Sequence, residues 1–542
     1  MPLLDQIRET KLIELAKTRF DPDLTEAELK VLHDSASSEE LPDPGEKVPR
    51  PVVRADFLRW LATDPEAAPH IDPKGLRVYA ATIPGQLNLE NCHVPVPLDF
   101  RRCTMKGEIN LRFAETRAIF LLDSSFNGGI RAAGIDVQGP LYLQRSDFSG
   151  EISLLRAKIN GVLACSGSKL KTKGHALSAD SAQIGSSVFL TEGFESEGEI
   201  RLLRAKIKGD LDCVSAKLRV KKGIALNADS AEIGGYVFLS KGFESDGTIL
   251  LLGAQIGRDL EFQGAKVAEV VCQNTVVTGD LFWQRIEKSE KTFLNLIGAR
   301  VKNLRDDRIS WPDEGNLILD GLVYEELTLH ETKSIENIKA RRLGCELPLV
   351  VKERIAWIML QKPERRTEPQ SWMQLAKHLE AKGDRKDAKH VIYKFRCLRA
   401  HAQKKMWFFR RWAIFFAWLE ESPARILLSI TATLLLGWLI FGFAGAKGAI
   451  APSEPEAYKA FITEKPMPAA YPTLNPFVYT LENAVPLVKL GQDEKWAPDR
   501  RYPGTNCFTN YWFLMWSRWL LILSGWVQAT VLAAALSGRF KP

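Results

Sequence analysis

The chain has eight cysteines in 542 residues, and none falls in a CxxC pair or a zinc-type spacing. That pattern excludes a recognisable zinc site, a dithiol redox motif and a haem or iron–sulfur ligand run. The eight histidines form no HExxH or paired-ligand pattern, and no GxGxxG follows a strand-like run. No metal, no cofactor and no catalytic residue is therefore expected. The first twenty residues, MPLLDQIRETKLIELAKTRF, carry charges throughout and lack the apolar core of a signal peptide. The N-terminal bulk is expected in the cytoplasm, where scattered cysteines remain free thiols. Long apolar runs are scarce too, and the two present lie after residue 425.

From residue 85 the chain falls into an eleven-residue beat. GQLNL, VPLDF, GEINL, AIFLL, GGIRA, GPLYL, GEISL and GVLAC follow one another at that spacing, with one ten-residue step. Their third positions are Leu87, Leu98, Ile109, Phe120, Ile130, Leu141, Ile152 and Leu163. Their fifth are Leu89, Phe100, Leu111, Leu122, Ala132, Leu143, Leu154 and Cys165. Apolar residues two apart share one face of a β-strand. A repeat this short cannot bury its own apolar row and must stack on its neighbours, as in a solenoid.

The beat is half a coil, so coils of about 22 residues are expected. SADSAQIGSSVFLTEGFESEG recurs 49 residues later as NADSAEIGGYVFLSKGFESDG, two coils plus a small insertion. Residues 76–335 should form roughly 11 or 12 coils, a rod of about 55 Å. Leu141 and Ile152 are expected in one inward row. Cys92, Cys103, Ala114 and Ala157 recur at equivalent places, which reads as a ladder of small inward side chains. Residues 1–75 read as a helical cap over one open strand edge. At the other end, QSWMQLAKHLEAKGDRKDAKHVIYKFRCLRA reads as one helical hairpin turning at KGD.

The C-terminal quarter has a different chemistry. Nine of the 14 tryptophans lie after position 406, and Trp concentrates where hydrocarbon meets water. Residues 351–425 hold 18 Lys plus Arg against 8 Asp plus Glu. This basic collar, assigned to 336–425, ends in KKMWFFRRWAIFFAWLEES, the aromatic and basic alternation of an interfacial helix. Its partner is expected to be the lipid bilayer and not nucleic acid. Ser422 and Pro423 then read as a helix start. Residues 426–446 contain no charge and 511–536 contain only Arg518, so both are expected to cross a membrane. The positive-inside rule leaves 447–510 outside and the 537–542 tail, with the N-terminus, in the cytoplasm.

Between the two runs lies NPFVYTLENAVPLVKLGQ, residues 475–492. Asn475 is a good N-cap, Pro476 a good first helical residue, and Pro486 a stop. The resulting helix, 476–485, is about half the bilayer core in length, which suits a re-entrant segment or a lid on the outer surface. On the second run Ser517, Ser524 and Gln528 share one helical face, a candidate pore lining. Gly525, Ala529 and Ala533 recur every four residues as a candidate packing strip. Glu482 and Lys489 are the candidate pore-mouth charges.

The joint order of GAQIGRDLEF, LAKHLEAKGDRKDAKHVI, ENAVPLVKLGQDEKW and GWVQATVLAAALSGRF resembles a family of bacterial membrane proteins described as pentapeptide-repeat-like, some labelled membrane-associated oxidoreductases. The resemblance implies a right-handed β-helix on a two-span anchor in the bacterial inner membrane, and supplies no catalytic residues. The eleven-residue repeat departs from the strict five of A(D/N)Lxx proteins, and no redox motif accompanies the oxidoreductase label. The fold expected is mainly β, a β-helix solenoid with helical caps followed by an α-helical two-span domain. The function expected is an oligomeric, ion-channel-like pore with a cytoplasmic sensing or assembly solenoid that could take a protein partner. A non-conducting anchored scaffold is the alternative, and the labelled oxidoreductase, which would need a cofactor bound without a recognisable motif, comes third.

Overall fold

The structure, a computed structural model, describes residues 2–20, 23–41, 50–329, 351–402, 407–421, 423–485, 488–503 and 506–536. Expectations for Ser422, Pro486 and the 537–542 tail lie outside these residues. The chain divides into two compact units, 1–378 and 379–542.

The first unit is a β-solenoid of about 11 turns. One coil shows the build. Its strands are Leu141–Tyr142, Asp147–Phe148, Ile152–Ser153 and Lys158–Ile159, and each pairs in parallel with a strand 22 to 25 residues further on. Each coil thus holds four short strands, two in each of two long parallel sheets.

The register corrects two expectations. Leu141 stacks on Ile119 and Leu163, whereas Ile152 stacks on Ile130 and Leu177. They lie half a coil apart on different faces, so the inward rows run at about 22 residues and not 11. The ten-residue step also falls earlier than expected. Ile119 and Leu121 point inward, and Phe120 and Leu122 are half-buried outside; the Phe120 ring stacks on Tyr142 at 5.5 Å.

The ladder of small residues has a backbone cause. A residue with φ near +50° recurs at each half-coil turn, as at Arg102, Phe113, Asp123, Arg145, Arg156 and Arg204. The next residue turns inward and is small: Cys103, Ala114, Ser124, Ser146, Ala157 and Ala205 are all buried. The serines do more than fit. Ser124 Oγ accepts from Cys103 N at 2.9 Å, Ser146 Oγ from Ser124 N at 3.0 Å, and Ser168 Oγ from Ser146 N at 3.0 Å. Each hydroxyl satisfies an amide of the preceding coil that would otherwise be buried without a partner. The seven described cysteines are free thiols. Burial pushes the Cys103, Cys165 and Cys272 thiols up to about 12, and that of Cys213 upward as well.

Helices close the solenoid. At the N-terminal end are α1 (Pro2–Phe20), α2 (Glu26–Ala36) and α3 (Ala55–Thr63). Phe57, Leu58 and Leu61 of α3 are fully buried. At the far end, α4 (Val351–Met359) sends Arg354 to Asp306 in the last coils, and α5 (Pro369–Ala381) follows. Gln370 Nε2 donates to Leu322 O at 2.9 Å and Gln374 Nε2 to Tyr324 O at 2.7 Å, while Gln361 Oε1 accepts from Leu319 N at 2.9 Å. Side-chain amides thus take the hydrogen bonds that a further coil would make. This blunts an edge that would otherwise template pairing with another chain.

The second unit is helical, with α6 (Arg385–Ala402) after a turn at Gly383, then α7 (Trp407–Glu421) and α8 (Pro423–Ala446). Next come α9 (Pro455–Ile462), α10 (Pro476–Ala484), α11 (Gln492–Lys495) and α12 (Tyr511–Leu536). Among the described residues one helix, Ala424–Ala446, is long and apolar enough to cross a membrane.

Candidate functional site

The excursion from α8 to α12 is a folded module. Ile450–Pro452 pairs antiparallel with Trp496–Pro498. The Trp496 ring meets Phe461 and Tyr471 edge-on at 6.3 and 5.9 Å, and its Nε1 donates to Pro472 O. From this base α10 departs as the sequence suggests. Asn475 Oδ1 accepts from the amides of Phe477 and Val478, and Pro476 opens the helix.

α10 then runs back along α8, and glycines mark its path. A Cβ at Gly445 would meet Leu474 at 2.7 Å, one at Gly442 would touch Pro476 at 3.8 Å, and one at Gly437 would meet Thr480 at 2.6 Å. As the chain advances from 474 to 480, its contacts on α8 retreat from 445 to 437. Gly437 lies about 14 Å from the C-terminal end of α8 at 1.5 Å per residue, and the 23-residue apolar stretch is about 34 Å long. The tip of α10 therefore reaches the middle of α8. At the tip the carbonyl of Ala484 occupies the space of the missing Gly525 side chain on α12. Of the proposed packing strip, Gly525 is buried against the chain's own hairpin, and Ala529 and Ala533 are exposed.

Among the described residues the returning limb pairs with no strand, and the Glu482 side chain of the descending limb holds it. Glu482 is buried, and its carboxylate accepts from four backbone amides: Leu490 and Gly491 at 2.8 Å, Gln492 at 2.7 Å and Asp493 at 3.1 Å. Gly491 turns the chain at φ +80°. Gln492 closes the mouth of the hairpin, accepting from Asn475 N and donating to Thr473 O, both at 3.1 Å. Glu482 is consequently engaged in the loop itself. Of the two mouth charges, Lys489 is the exposed one, beside exposed Leu490.

Beneath the tip lies a polar cluster. Gln528 Nε2 on α12 donates to Ser429 Oγ and Thr433 Oγ1 on α8, each at 2.9 Å. Ser524 Oγ donates to Leu521 O, and Ser517 is half-buried one turn above Leu521. Thr433 is one turn before Gly437 on α8. The cluster therefore sits one to two turns below the hairpin, in the same furrow between the two long helices.

Sequence reasoning missed the bracing roles of Glu482 and Gln492 and the polar contacts of Arg518, whose Nε donates to Asn483 Oδ1. The available signal was three strongly polar side chains in or beside apolar runs, each needing a partner that a short window does not contain. On α7, Trp407, Trp412 and Phe415 are exposed, with the Arg411 guanidinium 5.4 Å from the Trp407 ring centroid. Among the described residues no group of three or more His, Cys, Asp or Glu could hold a metal ion. Comparison of the chain with protein-family models, curated proteins and solved structures finds no match.

Cysteine exposure sets up a test of the membrane topology. Cys507 is exposed, whereas Cys213 is buried within the solenoid and would stay unlabelled in any compartment. With 447–510 outside, Cys507 should react with an impermeant thiol reagent in intact spheroplasts, and a Lys222→Cys reporter on an exposed solenoid turn should react only after lysis. Labelling of the Lys222→Cys reporter alone before lysis would reverse the orientation.

Proposed function

We propose that the protein is an oligomeric, ion-channel-like pore of the bacterial inner membrane, its solenoid a cytoplasmic sensing or assembly platform and both termini cytoplasmic. The observation that carries this reading is the hairpin 475–492, whose descending helix α10 reaches the midpoint of the apolar α8. With α8 across a bilayer, the irregular limb 488–491 and Lys489 lie inside the membrane. Backbone of that kind is tolerated at depth only against protein or water. The exposed Trp512, Trp516, Trp519 and Trp526 on α12 support a second crossing there. Two long helices from one chain cannot enclose a conduit, so several copies are required. In such a ring Lys489 sets the charge of the mouth, Glu482 keeps the hairpin closed, and the half-exposed Ser517, Ser524 and Gln528 lead inward.

In planar bilayers, Lys489→Glu should move the reversal potential toward that of cations, and Gln528→Leu should lower conductance at unchanged oligomer size. Currents indifferent to both substitutions would count against the reading. One observation favours the alternative, an anchored scaffold without conduction: Gln528 finds its partners, Ser429 and Thr433, within its own chain. A scaffold would use the solenoid's open furrow of about 850 Å³, lined by Lys158, Gln183, Lys206, Lys208, Glu232 and Gln255. It would retain a captured protein partner without passing current.

A further inference from the structure

Arg518 is the single charge in α12. It lies among the tryptophans at the start of the helix, and its side chain turns toward α10. Its Nε donates to Asn483 Oδ1 at 2.8 Å and its Nη2 to Asp493 O at 3.2 Å. The guanidinium carbon lies 5.7 Å from the centroid of the Tyr479 ring. Tyr479 and Asn483 belong to the descending limb, and Asp493 follows the returning limb directly in α11, so one side chain of α12 holds the descending limb and the end of the returning one. Asn483 is itself oriented, because its Nδ2 donates to Tyr479 O at 2.7 Å and leaves Oδ1 facing the guanidinium.

We propose that Arg518 is the positioning residue of the hairpin, the latch that ties its descending limb and the residue that follows its returning limb to α12. The inference rests on reading that hairpin as a pore element, but its contacts are independent of conduction. A guanidinium suits the role because its donors diverge in a fixed plane and reach two acceptors at once, while a lysine ammonium is a compact point charge. Loss of the latch should leave the helix pair intact, since Gln528 still joins α12 to α8. The hairpin tip should loosen.

The test uses full-length protein in liposomes, with Cys507→Ser and a reporter thiol at Val485→Cys beside the tip. Arg518→Gln should raise the rate of modification by an impermeant methanethiosulfonate about tenfold or more, because two hydrogen bonds to a charged donor are removed. Arg518→Lys should fall between Arg518→Gln and the parent. Asn483→Leu should raise the rate similarly, and the Arg518→Gln/Asn483→Leu pair should not multiply, since both changes open one latch. Thermal midpoints should stay close to the parent's, and Arg518→Lys keeps the test open if Arg518→Gln does not fold. Rates within twofold of the parent for Arg518→Gln and Asn483→Leu, or effects that multiply, would overturn the proposal. Absence of current in the parent would count against the pore alone.

Discussion

Replacing Arg354 by alanine should destabilise the solenoid end by about 3–5 kcal/mol, the cost of leaving a buried carboxylate without its cation. Arg354 and Asp306 have side-chain exposures of 0% and 2%. They form a bidentate pair with both N–O distances at 2.6 Å, and Trp311 Nε1 adds a third bond to Asp306 at 3.0 Å. The guanidinium also lies near the rings of Trp311 and Trp357, at 5.8 and 5.4 Å. Removing the cation exposes none of this to water, so the desolvated charge remains. The double substitution Arg354→Met with Asp306→Leu should recover most of the loss, since buried ion pairs are often matched by apolar pairs of similar volume. Thermal unfolding of the purified protein, followed by tryptophan fluorescence, measures both. An unchanged midpoint for Arg354→Ala would mean that α4 does not seal the coil.

Gly525→Val should expel the hairpin. The Ala484 carbonyl occupies the place of a side chain at 525, and it belongs to backbone that cannot rotate away. Forcing atoms into such a contact costs about 1–3 kcal/mol or more, while α12 itself gains slightly because valine is a better helix former than glycine. The helices should remain, and the tip should leave the furrow. A thiol at Val485→Cys should then label much faster, and any current of the parent should fall at least tenfold. Ala529→Val, one turn away on an exposed site, serves as the control and should change neither. Equal labelling of the two variants would remove Gly525 as the seat of the hairpin.

The solenoid was legible because its period is written in every coil. Leu141, Leu163 and Val188 each sit in the same local context, and a short window suffices to see it. The two errors arose where the local pattern is degenerate. In Ile119–Leu122 all four residues are apolar, so alternation alone cannot say which pair faces inward. Leu141 and Ile152 look equivalent because each side of the coil repeats the same grammar, although only neighbours a full coil apart touch. In the second unit, the start of α10 was legible from Asn475 and Pro476, which act within three residues. The roles of Glu482 and Arg518 were not. Glu482 braces amides eight to eleven residues away, and Arg518 holds a residue 35 positions earlier. Both look like lone charges in apolar sequence until the fold brings their partners. Arg354, 48 residues from Asp306, is hidden for the same reason.

The pore reading depends on more than one chain, because two long helices from one chain cannot enclose a conduit. Native mass spectrometry of the purified protein in mild detergent tests this directly. The account predicts a closed assembly at one integer multiple of the 60.8 kDa chain mass, three copies or more. A species at 60.8 kDa alone, under conditions that retain the solenoid fold, would contradict it.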